Sequence, residues 1–262
     1  MKKLVGMALL MMLGHVVLAQ VDSTKTNSKP GNYYSHQKDT TKKSKPTYAS
    51  LNLANRANDH FMIELSYDNW IGKTDSMNTT GFSRGFAFYF MFDFPFKTDP
   101  HFSVGAGLGI DASNIFFDKT NVGVATAGNA TLAFTDVSQS DHFKKYKLVL
   151  TNLDLPIELR YAFNPENTNR SWKIAVGIKA GLLLSTYTKG KDKENAAGQV
   201  INNYIEKQSS TRFFNSGRLV ATGRVNYGWI GVFGTYQITS LIKSGAGPNV
   251  NPYSIGLVLS GL

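Results

Sequence analysis

The stretch LTNLDLPIELRYAF, residues 150–163, places an apolar side chain at every second position. Between these apolar residues stand Asp154, Pro156, Glu158 and Arg160. Because successive side chains of a β-strand point to opposite faces, this alternation predicts a strand with one apolar face and one charged face. The proline lacks an N–H to donate, so we expect a local bulge or a broken ladder bond at that position.

The same period of two recurs from about residue 61 to the end of the chain. The apolar faces lie in residues 61–67, 86–94, 102–110, 153–163, 172–184, 219–227, 230–238 and 253–259. Short turns and longer loops alternate between these eight segments, and both ends of the domain fall on the short-turn side. The sequence therefore predicts an all-β fold, an eight-stranded antiparallel up-and-down transmembrane β-barrel.

Side-chain volume indicates which face of this barrel points outward. Residues 86–94 carry five alternating phenylalanines, and an eight-stranded barrel has an interior just wide enough for side chains to fill. The glycine-rich alternate positions of residues 103–109 suit a narrow lumen much better. The apolar face should thus point outward, which only a lipid environment tolerates. Arg84 also falls on the outward parity near the outer rim, where it is a candidate contact for lipid phosphates, with snorkelling as the alternative.

The beginning of the chain predicts export. Two lysines precede an apolar run that is too short to span a membrane, so residues 1–19 read as a signal peptide. Residues 20–57 form a polar, lysine-rich stretch, which predicts a flexible basic periplasmic tail before a barrel over residues 58–262. This stretch holds much of the +10 net charge, so we expect no nucleic-acid partner. An exported chain without cysteine is typical of the bacterial envelope. We therefore place the protein in the outer membrane, with both termini periplasmic because both ends of the domain fall on the short-turn side.

Charged residues of both signs fall on the inward parity of the predicted strands. The predicted polar network of the lumen consists of Glu64, Asp68, Asp93, Asp111, Asp154, Glu158, Arg160, Lys173, Lys179, Arg218 and Arg224. A selective pore is usually lined by one sign of charge, whereas mixed signs favour a salt-bridged plug. The sequence favours a packed lumen, and a narrow channel or small-ligand transporter is the alternative.

No arrangement of residues in the sequence indicates catalysis. We expect no enzyme, no cofactor and no metal. His60, His101 and His142 fall at different strand ends, and none has a visible nucleophile or set of metal ligands beside it. Ser140 is the remaining candidate for a catalytic residue. The outer loops are better candidates for function, as a docking surface for a protein or a glycan. Residues 121–134 could form a hairpin above the membrane, and the charged segment 189–207 is compatible with a helix.

The strand that opens this section also resembles a known family. Residues 153–161, LDLPIELRY, are similar to the L-E-I-P-L-x-L-R/K-Y strand of the PorT-like outer-membrane β-barrels of the Bacteroidota, with Asp154 in place of the usual Glu. Residues 173–181 and 253–257 resemble later strands of that family. The resemblance spans about residues 58–262. It implies the barrel fold and the lipid of the outer membrane as surroundings, but no particular role. An envelope or secretion protein that binds through the outer loops or the basic tail is a separate expectation.

Overall fold

The computed structural model describes residues 60–80, 82–126 and 128–261. The expected signal peptide, residues 1–19, and the expected basic tail, residues 20–57, lie outside the described residues. The described chain contains eleven strands: β1 Phe61–Ile71, β2 Arg84–Pro95, β3 Phe102–Phe117, β4 Thr120–Val122, β5 Phe134–Asp136, β6 His142–Ala162, β7 Trp172–Glu194, β8 Val200–Ser209, β9 Gly217–Tyr227, β10 Ile230–Gln237 and β11 Asn251–Ser260. A short 3-10 helix, Thr168–Arg170, lies between β6 and β7.

Eight of these strands close into a ring. Antiparallel pairing runs in the order β6, β3, β2, β1, β11, β10, β9, β7, and β6 pairs with β7 to complete the circle. The predicted eight-stranded up-and-down barrel is confirmed. Its two rims differ: β2–β3, β6–β7 and β9–β10 are joined by short turns at the turn rim, whereas the longer connections meet at the loop rim. In the described part of the chain, no helix is long and apolar enough to cross a membrane.

The apolar face points outward, as the volume argument predicts. The five alternating phenylalanines of residues 86–94 are 39–58% exposed, whereas Tyr89 and Met91 between them are fully buried in the lumen. Trp70 and Tyr146, which their height suggests for an outer aromatic girdle, instead point inward and are buried. Both have the inward parity of their strands, and at the loop rim they help to build an apolar cap over the lumen.

Pro156 breaks the ladder on one side only. On the β7 side it pairs in register with Lys179, but on the β3 side the pairing stops after Ala106↔Ile157 and resumes at Gly109↔Asp154. The expected broken ladder is therefore present, because Pro156 has no N–H to donate. A register shift between β6 and β7 lies elsewhere: Thr151 pairs with Ser185 and Asn152 with Leu183, which leaves Leu184 of β7 as the extra residue.

The loop rim carries more β-structure than the sequence suggests. β4 and β5 form a hairpin of three residues a side at the two ends of the expected hairpin segment. The segment 189–207 is not helical: β7 continues to Glu194, and β8 returns along it. β6 and β7 have 21 and 23 residues, about twice what a membrane strand needs. We call residues 142–151, residues 185–194 and β8 the outer sheet.

Candidate functional site

Glycines make room for the charged side chains of the lumen. A Cβ atom at Gly105 would collide with the guanidinium of Arg160, and a Cβ at Gly181 would collide with the carboxylate of Asp154. Strands β3 and β7, which carry these glycines, therefore approach bulky polar groups closely. The glycine-rich inward faces leave space in the lumen, and the charged side chains of the other inward faces fill that space.

A chain of polar contacts crosses the middle of the lumen. Lys179 Nζ lies 2.6 Å from Glu64 Oε2 and donates a second bond of 3.2 Å to the hydroxyl of Tyr89. That hydroxyl donates to Asp154 Oδ2 at 3.2 Å, and Asp154 accepts two bonds from Arg218 at 3.0 and 2.5 Å. Residues from five strands are thus joined, and Lys179, at 1% exposed, is almost fully shielded from solvent.

Two further carboxylates of the predicted network lie near Arg218. Asp111 is 3.3 Å from Arg218 Nη2, so this arginine holds two carboxylates. Asp68 accepts hydrogen bonds from two serine hydroxyls, those of Ser66 and Ser113, each at 2.5 Å. The side-chain hydrogen bonds of Asp68 thus come from hydroxyl groups, whereas the sequence predicts that Asp68 pairs with a charged neighbour.

A second cluster lies toward the turn rim. Glu158 Oε2 accepts bonds of 3.0 Å from Arg160 Nε and 3.0 Å from Arg224 Nη2, and Arg160 Nη1 is 3.4 Å from Asp93. Lys173 lines a small cavity beside them and is buried. A desolvated carboxylate between two guanidiniums requires charge-assisted hydrogen bonds of this kind.

Five neutral residues of these clusters are absent from the sequence-based network, among them Ser66 and Ser113 beside Asp68. Tyr89 bridges Lys179 and Asp154, while Asn226 and Ser260 hydrogen bond Arg224 at 3.2 and 3.1 Å. Their parity is inward, which is the signal that could have found them. A network defined by formal charge alone leaves out such neutral bridging groups.

Two cavities in the described part of the lumen are small. One, beside Arg160 and Lys173, has a volume of about 20 Å³, and another, between Asp68 and Arg218, has about 30 Å³. Each has room for about one or two water molecules. Above them sits the apolar cap, formed by Trp70, Met77, Ile115, Phe117, Val122, Val124, Leu132, Tyr146, Leu148, Leu150, Phe213, Phe214, Leu241, Ile242 and Val250.

The outer sheet bears an aromatic cleft on its concave side. The rings of Phe143 and Tyr146 stack at 6.0 Å, and Tyr204 of β8 meets Phe143 edge-on at 5.7 Å. Gly190 lies beneath them, where a Cβ would strike the ring of Phe143. Polar groups that include Glu206 complete the lining of a cleft of about 180 Å³.

Strand β8 forms the free edge of the outer sheet. It pairs with β7 on one side, and among the described residues no strand pairs with its other side. Residues 200–205, VINNYI, carry no charge, and Val200, Ile201, Tyr204 and Ile205 are all exposed. An uncharged edge strand with apolar side chains is a template for pairing with another chain.

The candidate catalytic residues are spread over the molecule. His101 Nδ1 lies 2.8 Å from Asp99 at the turn rim, and its ring stacks on Tyr161. His142 Nδ1 donates to the carbonyl of Ser140 at the loop rim. His60 stacks on Phe90, and within the described residues no group of three or more His, Cys, Asp or Glu could hold a metal ion.

A known protein family matches most of the chain. A family model described as "Outer membrane protein beta-barrel domain" matches residues 27–244. No curated protein matches the chain. Two solved structures are similar, both of Ail, the attachment invasion locus protein of Yersinia pestis, one of them in complex with the heparin analogue sucrose octasulfate. Their identities are 9% and 10%, their TM-scores 0.34 and 0.32, and the matches cover 78% of this chain and 97% and 99% of theirs.

Proposed function

Since this chain belongs to the outer-membrane β-barrel domain family, we propose that it is a closed barrel of the outer membrane whose outer sheet docks a partner protein. The loop rim and the outer sheet face the outside of the cell, and both termini face the periplasm. The arrangement of short turns and long loops supports this orientation, because barrels of the outer membrane have short periplasmic turns and longer extracellular loops.

The free edge of β8 is the observation that carries the docking function. Exposed edges are normally protected by charge, proline or a covering segment, and residues 200–205 have none of these protections in the described structure. An extended segment of a partner protein, with apolar side chains at alternate positions, would add a strand beside β8. Ile201 and Ile205 would contact it on one face of the sheet and Tyr204 on the other.

The partner is an envelope or secretion protein in this proposal. The PorT-like family of the Bacteroidota, which LDLPIELRY resembles, takes its name from a member linked to secretion, so secretion is the role to test first. Deletion of the gene should then trap secreted cargo in the periplasm. Normal secretion in the deletion strain would remove the secretion role but leave docking to be tested separately.

Site-specific photocrosslinking tests the docking function. A photoreactive residue at position 201 or 205, on the exposed edge strand, should form a protein adduct in intact cells. The same residue at position 236, on the lipid face of β10, should form none. The double variant Ile201→Lys/Ile205→Lys should lose the adduct made from position 203 and keep the heat-dependent shift in gel mobility typical of folded barrels. The absence of any adduct from β8 would contradict the proposal.

Conductance separates the closed barrel from the narrow channel. We expect planar bilayers that contain the purified protein to show no discrete current steps, because the lumenal cavities hold only about one or two waters and the apolar cap lies above them. As a positive control, Trp70→Ala/Leu148→Ala opens the cap at two of its buried members and should raise the leak. Steady unitary currents from the unmodified protein would favour the channel.

A further inference from the structure

A row of lysines crosses the outward face of the outer sheet. Lys147 pairs directly with Lys189 in the β6–β7 ladder, and Lys189 pairs with Lys207 in the β7–β8 ladder. We call these three residues the lysine row. Their side chains share the outward parity, so like charges face one another across adjacent strands. Such pairs are destabilising unless an opposite charge lies between them.

The described part of the barrel places no such charge beside these lysines. In the described part of the chain, no carboxylate oxygen lies within 4.0 Å of a side-chain nitrogen of Lys147, Lys189, Lys207 or the neighbouring Arg84. Other lysines of the same strands do have carboxylate partners. Lys144, for example, is 3.1 Å from Glu194.

Neighbouring aromatic and amide groups hold the cations in place. Arg84 and Lys147 lie 5.3 and 5.7 Å from the centre of the Phe116 ring, so two positive charges meet at one aromatic side chain. Lys147 Nζ also donates to Asn114 Oδ1 at 2.7 Å. Lys207 Nζ lies 4.0 Å above the ring of Tyr187. These contacts orient the amines while leaving their charge without a counter-ion.

An apolar groove begins at this cationic cluster and runs down the lipid face. It has a volume of about 570 Å³, and Arg84, Lys147 and Asn114 lie at its polar end. Leu65, Phe86, Ile255 and Leu257 form its walls, next to the ring of Phe82. A groove with an apolar floor and cations at one end has the shape and charge of a binding site for an acyl chain with an anionic head.

We propose that this groove and the lysine row bind one phosphate-bearing lipid of the membrane. Its acyl chain lies between Leu65, Phe86 and Leu257, and its phosphate lies among Arg84, Lys147 and Lys189. The location agrees with the outer-membrane family, since the cations border the lipid-facing apolar surface, where head groups are found. With the orientation given under the proposed function, this lipid belongs to the outer leaflet.

Lipid binding to the purified full chain in detergent tests the site. The probe is a phosphorylated acyl-diglucosamine lipid, compared with the same lipid after enzymatic removal of its phosphates. We expect Lys147→Gln/Lys189→Gln to weaken binding of the phosphorylated lipid at least about tenfold. The matched control Lys144→Gln/Lys193→Gln removes the same charge from the same strands at lysines that have carboxylate partners, and should change binding less than about twofold.

Two further variants keep the test decisive if the double variant fails to fold. Arg84→Gln removes one cation at the head of the groove, and Leu257→Trp fills the groove without a change of charge, so each should also weaken binding. Equal binding of the lipid with and without phosphate, or unchanged binding by all these variants, would overturn the proposal. Equally tight binding of inorganic phosphate would also overturn it, because the site would then select a small anion.

A separate measurement tests the proposed orientation independently of lipid binding. Asn203→Cys on β8 should react with a membrane-impermeant maleimide in intact cells if the outer sheet is extracellular. A failure to label would refute the orientation and the assignment to the outer leaflet. The detergent assay would still decide whether the groove binds a phosphorylated lipid.

Discussion

Replacement of Lys179 by methionine is expected to lower the free energy of unfolding by about 3–5 kcal/mol. The lysine is buried and lies 2.6 Å from Glu64, so its loss leaves a buried carboxylate without a counter-ion. It also removes a donor to Tyr89, which in turn bonds Asp154. Methionine has a similar length, so the effect should arise from charge rather than from a cavity. Denaturant unfolding in lipid vesicles, followed by tryptophan fluorescence and gel mobility, measures it.

Two controls isolate the buried charge as the cause. Lys191→Met removes a lysine of the same strand that is half exposed and 3.9 Å from Asp192, and should change stability by less than about 0.5 kcal/mol. Glu64→Gln in the Lys179→Met background removes the orphaned charge, and should restore a large part of the loss. If Lys179→Met were as stable as Lys191→Met, the lumen would be hydrated at this height, which would favour the channel.

The fold could be predicted from the sequence because each barrel strand has two different surroundings. Lipid on one side and a narrow lumen on the other impose a strict period of two over most strands, as in residues 86–94. Volume then fixes the outward face, since large aromatic rings do not fit the lumen. The period of two could not predict β8, because the two faces of this strand do not have different surroundings. Nearly all of its side chains are exposed, so residues 200–209 carry no alternation to detect.

The partners within the lumen could not be predicted to the same degree. Parity places Lys179 and Glu64 on the inner face, but they are 115 residues apart, and only the tilt and stagger of the ring decide that they meet. Neutral bridging groups such as Tyr89 carry no charge to draw attention to them. The heights of Trp70 and Tyr146 on their strands favour an outer girdle, whereas their inward parity favours the buried positions that they have in the apolar cap.

Replacement of Glu158 by glutamine probes the second charge cluster, nearer the turn rim. The carboxylate holds Arg160 and Arg224, each at 3.0 Å, and all three side chains are buried. Without its charge, Arg160 and Arg224 lose the carboxylate that lies between them, and the two guanidiniums repel each other at close range.

We expect Glu158→Gln to reduce the free energy of unfolding by about 3 kcal/mol or more, in the same vesicle assay. Glu166→Gln in the exposed β6–β7 turn is the matched control and should change it by less than about 0.5 kcal/mol. Tolerance of Glu158→Gln together with sensitivity of Lys179→Met would mean that water enters from the turn rim as far as Glu158 and stops below Lys179. Sensitivity at both heights would instead mean that the lumen excludes water from the turn rim upward, as a closed docking barrel requires.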